Sequence, residues 1–324
     1  MTDTLLLSRR DVAELLPMAD CIAAVEDALR AQAGGRTLPS GVLGLHAPEG
    51  GFHVKAAGLW RGRLYVAAKL NANFPANPDR GLPTIQGVVV LWDGEDGRPL
   101  AVMDSMEITA LRTGAATAVA AKHLSVAGAR KVTLLGCGEQ AAYQLRALAS
   151  VRAIETVFAI DRYSARVARL ASALRARVTP VADPGPALRE ADIVVTCTPS
   201  KHPVVGPDDV RPGAFVAGVG ADSAEKQELH PLLLAKSRVV VDSLEQAAAI
   251  GDLHHALSAG VLRIEDVHAE LWELVAGRKA GRASADEITA FDSTGIAIEY
   301  VAAAALVFER ALATGRGGRV AFGG

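Results

Sequence analysis

The chain has 324 residues, enough for two domains or one large one with a real core. Hydrophobic residues make up 50% and charged residues 22%, an ordinary globular balance, but aromatics reach only 4%, so the core must be built mostly from Ala, Val and Leu. A formal net charge of -2 implies no extended basic face and removes nucleic acid from the expected partners. Met1 to Arg10 has no long apolar run and sets Asp3 and two arginines around Leu5-Leu6-Leu7, unlike a signal peptide. Ser8 followed by Asp11 predicts a helix start, with Val12, Leu15 and Leu16 on one face. A second helix, about Asp20 to Gln32, stops at Gly34-Gly35. Val42 to Leu45, Phe52 to Ala57, Leu64 to Leu70, Ile85 to Trp92 and Leu100 to Met103 then read as strands of a mostly antiparallel sheet.

Ile108 to Leu124 predicts an Ala-rich helix carrying Arg112. Beyond it the texture changes. Lys131 to Leu135, Thr156 to Ile160, Ile193 to Thr196, Ala214 to Val219 and Val239 to Val241 are short apolar strands alternating with helices such as Gln140 to Ala149. That alternation predicts a parallel sheet covered on both faces. A last amphipathic helix, about Thr294 to Leu312, is expected to pack back on the first domain, and the tail Gly315 to Gly324 reads as loose. No run is long enough to span a bilayer; Tyr300 to Phe308 is about half of one. Cys21, Cys137 and Cys197 are far apart and follow no metal spacing, so no metal is expected and a reducing cytoplasm fits. Cys137 and Cys197 each sit inside an apolar strand pattern and read as buried small hydrophobes.

Gly136-Cys137-Gly138-Glu139-Gln140-Ala141 follows a strand and opens a helix in the pattern G-x-G-x-x-A. The first Gly makes a tight turn, the second lets backbone approach a pyrophosphate, and the small third residue lets helix and strand pack closely. The helix N-terminus offers free N–H groups to the phosphates. Asp161 ends the next strand about twenty residues on, where a carboxylate binds the ribose hydroxyls. It repels a 2′-phosphate and so favours NAD(H); Arg162 beside it leaves NADP(H) open. Asp161 could instead simply cap the next helix. The expected architecture is α/β. It comprises a Rossmann dinucleotide-binding domain over 113–295 and a second, α+β domain over 1–112, completed by 296–324.

Three further residues carry chemistry: Lys69 at a strand end, Arg112 among small and apolar neighbours, and Asp222 directly after a parallel strand. A guanidinium in a pocket suits bidentate carboxylate binding. A carboxylate at a strand C-terminus is a plausible acid/base group. Taken singly, each is as readily structural as functional.

Several blocks resemble the signatures of the ornithine cyclodeaminase/mu-crystallin family, in family order over about residues 50 to 310. They are Gly81-Leu82-Pro83-Thr84, Ile108 to Ala116, Val219-Gly220-Ala221-Asp222 with Lys226-Gln227-Glu228-Leu229, and Phe291-Asp292-Ser293-Thr294-Gly295. The resemblance implies that Lys69 and Arg112 bind the substrate carboxylate, with Lys69 near the reacting centre and Thr294 also on the substrate side. It implies Asp222 as general acid/base at the substrate nitrogen. It implies a cofactor site of Glu139, Gln140 and Asp161, completed by Thr84, Arg112, Thr113, Thr198, Val219, Lys226 and Ser293, and a homodimer formed through the sheet of residues 41–103. The sequence departs from the family pattern in three places. Leu38-Pro39-Ser40-Gly41 lacks the Arg that cyclodeaminases carry there, for which Arg36, Arg61 and Arg63 are candidate substitutes. Ala72 stands where members often have Asn. Ala224-Glu225 replaces a Pro-Gly.

The chemistry so implied is hydride transfer at a carbon bearing nitrogen and carboxylate, by a reductase or dehydrogenase of a small imino or amino acid. One alternative is the lyase that converts ornithine to proline and ammonia with catalytic NAD. Another is a non-catalytic NAD(P)H-dependent ligand-binding protein, which need not keep Lys69, Arg112 and Asp222 together.

Overall fold

Along Arg63–Asn73 the side chains of Tyr65, Ala67, Lys69 and Asn71 are buried while those between them are not, the period of a strand with one face on a core. The computed structural model describes residues 3–173 and 177–322. It divides into two compact units, Met1–Arg112 with Ile296–Gly324, and Thr113–Gly295.

The first unit opens with β1 (Thr4–Leu7), α1 (Arg9–Leu15) and α2 (Met18–Ala33). Ser8 and Asp11 close a capping box at the start of α1. Then come β2 (Thr37–Ala47), β3 (Gly50–Arg61), β4 (Arg63–Asn73), β5 (Ile85–Asp93) and β6 (Pro99–Asp104). Helix α3 (Ser105–Leu124) crosses the unit boundary. It starts three residues ahead of the expected Ile108 because the Asp104 carboxylate accepts the Glu107 N–H at 2.8 Å and caps it.

The second unit alternates strand and helix: β7 (Lys131–Leu135), α4 (Glu139–Ala149), β8 (Thr156–Ile160), α5 (Ser164–Ala173), β9 (Arg177–Pro180), α6 (Pro184–Glu190) and β10 (Ile193–Thr196). It continues through β11 (Phe215–Gly218), α7 (Pro231–Ala235), β12 (Arg238–Val241), α8 (Leu244–Ile250), α9 (Asp252–Ser258), β13 (Ala269–Glu270), α10 (Leu271–Val275) and β14 (Thr289–Asp292). The strands form one sheet in the order β13-β12-β14-β11-β10-β7-β8-β9, every neighbouring pair parallel. The strand order turns back on itself about β7, the point at which such sheets open a ligand crevice at their C-terminal edge.

The chain then returns to the first unit as α11 (Ala297–Thr314) and β15 (Gly318–Val320). Almost every side chain of α11 is buried, and it packs on α2, β3 and β4; Tyr65 and Phe308 meet edge to face at 6.4 Å. The sheet here runs β15-β1-β6-β5-β4-β3-β2, antiparallel except for the β1–β6 pair. The tail, expected to be loose, is a strand. Gly315 at φ 67 ends α11, Arg316 pairs with Asp11 and Glu14, and Gly318 to Val320 take up the open edge of β1. Of that tail only Gly323 and Gly324 lie outside the described residues.

The expectation for two of the cysteines also needs correction. Cys137 and Cys197 sit just past β7 and β10 rather than within a strand. Burial pushes both thiols up, Cys137 to about 11, so neither is a ready nucleophile. Among the described residues no helix is long and apolar enough to cross a membrane, and no group of three or more His, Cys, Asp or Glu is placed to hold a metal ion.

Candidate active site

The buried face of β4 places the Lys69 ammonium inside the first unit, where a cation needs compensation. It meets Tyr300 of α11: Nζ donates to the phenol oxygen at a long 3.4 Å and lies 4.8 Å from the ring centre. Arg112 of α3 reaches the same side chain. Its Nη2 donates to the Tyr300 oxygen at 2.6 Å, and its Nη1 pairs at 3.0 Å with the fully buried Glu299. Two predicted residues, Lys69 and Arg112, thus come within reach of one oxygen. Sequence reasoning missed Tyr300 and Glu299, which read as core residues of an apolar helix. It also missed Lys55, the direct cross-strand neighbour of Lys69, whose charge acts on Tyr300. The substitutes proposed for the absent arginine do not join this group. Arg61 pairs with Glu309, Arg63 with Asp93, and Arg36 is exposed. The third cation whose charge acts on Tyr300 is Lys55. Thr84, also in this unit, is half-buried, and its carbonyl accepts the Phe74 N–H at 2.8 Å.

In the second unit the glycine loop joins β7 to α4. Gly136 has φ 92, and a Cβ there would stand 2.7 Å from the Cys197 carbonyl, so only glycine fits. Gly138 begins α4 with no side chain capping it, and a Cβ built on it meets nothing within 4 Å. The open space before an uncapped helix N-terminus is the setting in which backbone N–H groups donate to a phosphate. Glu139 and Gln140 form the first turn behind it, and Thr113 is buried on α3. Asp161 follows β8; its Oδ2 accepts the Cys137 N–H at 2.8 Å and its Oδ1 the Tyr163 N–H at 2.8 Å. It therefore braces the glycine loop as well as the start of the next helical segment, and Arg162 beside it is exposed. The Ser293 hydroxyl, beyond β14, is buried with no hydrogen-bond partner. An open helix N-terminus, a carboxylate beyond the next strand and an orphaned hydroxyl fit a bound dinucleotide.

The loop after β11 carries Val219 and Asp222. The Asp222 carboxylate is 57% exposed and accepts from Lys226 Nζ at 2.5 Å. The loop is held by Glu228, a residue not singled out from the sequence. One Glu228 oxygen takes the Thr198 N–H and hydroxyl at 2.6 and 2.7 Å; the other takes the Thr196 hydroxyl at 2.8 Å and the Gly220 N–H at 2.6 Å. Thr198, expected at the cofactor, therefore spends its hydroxyl proton on Glu228. Thr294 likewise donates to Asp242 at 2.7 Å and accepts from Gln246 at 2.7 Å. The Ser223 hydroxyl next to Asp222 is buried without a partner.

Beneath these loops lie Glu228, Asp252 and Asp292, all buried carboxylates. Asp252 Oδ1 accepts the N–H groups of Glu228 and Leu229, and Asp292 Oδ2 accepts that of Leu253, but Asp252 Oδ2 and Asp292 Oδ1 accept none. Burial first, and the neighbouring Glu228 second, push Asp252 up from 3.8 to about 7; Asp292 is likewise raised, by burial first and then by Asp252. The folded state thus holds a proton that the unfolded chain releases. The stability it gives is complete below about pH 3.8 and is lost as pH rises through about 7. Asp252→Asn keeps an oxygen for both N–H groups and offers a permanent donor in place of that proton. It is expected to raise the melting temperature at alkaline pH and flatten its decline from acid to neutral. A steeper decline in a pH series of melting curves would refute the raised Asp252.

The family model for the ornithine cyclodeaminase/mu-crystallin family matches residues 2–315. The alanine dehydrogenase of Archaeoglobus fulgidus is 40% identical over 321 residues, covering 99% of each chain. An archaeal alanine dehydrogenase dimer with bound NAD superposes with a TM-score of 0.94 at 39% identity, over 99% of this chain and 100% of that one. The Δ1-pyrroline-2-carboxylate reductase of Thermococcus litoralis, in complex with NADH and L-proline, gives 0.92 at 33% identity over 98% and 100%. The chain belongs to the ornithine cyclodeaminase/mu-crystallin family.

Proposed function

We propose that this protein is an NAD(H)-dependent oxidoreductase acting at the carbon–nitrogen centre of a small amino or imino acid. The observation that carries the reading is the convergence of two buried cations, Lys69 and Arg112, on a single oxygen. A carboxylate is the small anion whose two oxygens suit a guanidinium and an ammonium together. The relatives support the same class, since one bears the name of a dehydrogenase of alanine and another of a reductase of a cyclic imino acid.

When bound, NAD(H) would supply the hydride chemistry at the substrate carbon. The rest is the work of this chain. Lys69 and Arg112 hold the carboxylate and orient the molecule. Asp222 holds the proton that goes to the nitrogen on reduction and takes it back on oxidation. Gly136, Gly138, Glu139 and Gln140 receive the pyrophosphate at the α4 N-terminus, and Asp161 takes the ribose hydroxyls, which favours NAD(H) over NADP(H). Thr84, Thr113, Arg162, Thr198, Val219, Lys226 and Ser293 complete the cofactor side, and Thr294 the substrate side.

The test is NADH absorbance with Δ1-pyrroline-2-carboxylate, then with 2-oxo acids plus ammonia or methylamine, and NAD reduction with L-alanine. Steady turnover in one of these supports the oxidoreductase. Ammonia release from ornithine with trace NAD and no net redox would overturn it in favour of the cyclodeaminase. Tight binding without any turnover would overturn it in favour of a binding protein.

The working form we propose is a homodimer made through the outer face of the first sheet. Leu43, Val54, Leu70 and Val88 are register partners across β2 to β5 and form one apolar row, with Leu43, Leu70 and Val88 exposed by 53%, 42% and 39%. Sedimentation of the full chain is expected to give twice the monomer mass of 33.7 kDa, falling to the monomer in Leu43→Glu/Leu70→Glu. A wild-type monomer would refute the interface.

A further inference from the structure

Lys55 and Lys69 face each other directly on neighbouring strands, in a row that continues to the buried Val89. Like charges in that relation repel, and burying an ammonium costs solvation, so this face of the sheet calls for an anion. Glu299 supplies one to Arg112 through Nη1. The second terminal nitrogen, Nη2, and Lys69 turn to the Tyr300 oxygen instead. The ring beneath that oxygen is itself flanked by both cations, Arg112 Cζ at 4.5 Å and Lys69 Nζ at 4.8 Å from its centre. The Tyr300 oxygen thus accepts from the same two donors that a carboxylate would use.

We infer that Tyr300 is a substrate-binding residue that gates the Lys69–Arg112 pocket: as a phenol it donates a hydrogen bond to the bound carboxylate, and as a phenolate it takes both cations itself and expels the carboxylate. The inference rests on the reading of Lys69 and Arg112 as carboxylate holders. The charges around the hydroxyl agree with it. Burial alone would raise its pKa, but Arg112 from α3, then Lys69 from β4 and Lys55 from β3, with help from the Thr109 hydroxyl, bring it down from 10.0 to about 8. The other elements packed on α11 bring charged groups that are engaged elsewhere. Asp11 and Glu14 of α1 pair with Arg316, Asp20 of α2 with Arg310, and Asp93 of β5 with Arg63 and Arg98. Asp104 of β6 caps α3, and His46 of β2 is exposed. Cys21 of α2, close to Glu299 and Arg112, is kept un-ionised by burial. On α11 itself Glu309 holds Arg61 and Tyr65.

The chain has only 4 tyrosines, so each can be followed by nuclear magnetic resonance after isotope labelling at Cζ. The full-length protein would be titrated alone, and again with saturating NADH and pyrrole-2-carboxylate, a planar carboxylate with no reducible imine. One tyrosine is expected to ionise near pH 8 and to be missing from Tyr300→Phe. The ligand should move that midpoint up by about one unit or more, because it binds the phenol form. In calorimetry the dissociation constant of pyrrole-2-carboxylate should rise about tenfold per pH unit above that midpoint in wild type and stay flat in Tyr300→Phe. The inference is overturned if no tyrosine ionises before about pH 9.5, or if the one that does is unmoved by ligand. It is also overturned if both proteins lose affinity alike. If Tyr300→Phe does not fold, the ligand-induced shift in wild type decides alone. Turnover of an imino acid with a Tyr300 that does not titrate would sink this inference and spare the proposed function. A pyrrole-2-carboxylate that does not bind, with a KM indifferent to Arg112→Ala, would sink both.

Discussion

Asp222→Asn is expected to cut turnover by about two to four orders of magnitude, the usual worth of a positioned general acid/base, while leaving NADH affinity within about twofold. The asparagine keeps the size of the side chain and an oxygen for Lys226, which holds the carboxylate at 2.5 Å. What it lacks is a proton to exchange with the substrate nitrogen. The loop itself should not move, because Glu228 holds it through the Gly220 N–H and Thr198. Single-turnover hydride transfer and NADH fluorescence titration separate the two effects. A loss under about tenfold would mean that another group carries the proton.

Arg112→Ala is expected to have two large effects that can be told apart. Removing one partner of a buried charge pair costs about 2–5 kcal/mol, so the KM for the amino or imino acid should rise by roughly thirtyfold to several thousandfold. Independently, the fully buried Glu299 loses the guanidinium at 3.0 Å, and the fold should lose about 3–5 kcal/mol in a denaturant titration. The double variant Arg112→Met/Glu299→Gln carries neither charge. It should recover most of the stability and none of the substrate affinity. Recovery of affinity as well would show that Arg112 acts only through the fold.

The part of the site that is local in sequence was legible from it. A strand, a tight glycine turn, a helix start and an acid at the end of the next strand are all fixed by neighbours within about thirty residues, and Gly136, Gly138 and Asp161 occupy those places in the structure. The carboxylate pocket was only half legible. Arg112 could be named because its neighbours in the chain are small or apolar, and Lys69 only through the family resemblance. Tyr300 could not, since a tyrosine among Ala and Val in a helix looks like core, and only the packing of α11 on β4 sets it against a lysine. Lys55 carried a usable signal. It interrupts the apolar run of β3 just as Lys69 interrupts β4, and antiparallel register makes the two face each other. Strand β15 carried almost none. Gly318-Arg319-Val320 is too short for a periodic pattern, and its strand state depends on the free edge of β1, some three hundred residues away in the chain.

The first unit is assembled from both ends of the chain, and this orders events during synthesis. When Arg112 leaves the ribosome, β1 to β6 have been made, but neither the helix that covers their inner face nor the edge strand β15 has. At about 5–20 residues per second, roughly 10–40 s pass before Ile296 and the residues after it follow. The Thr113–Gly295 unit, contiguous and built from neighbouring strand–helix pairs, can close in that interval. Meanwhile the nascent sheet keeps Lys55 and Lys69 in water rather than against Tyr300, and their repulsion then costs little. Shortening the protein from its C-terminus should therefore strand a half-built first unit on a finished second one, a form that chaperones would hold and proteases would trim back to near Thr113.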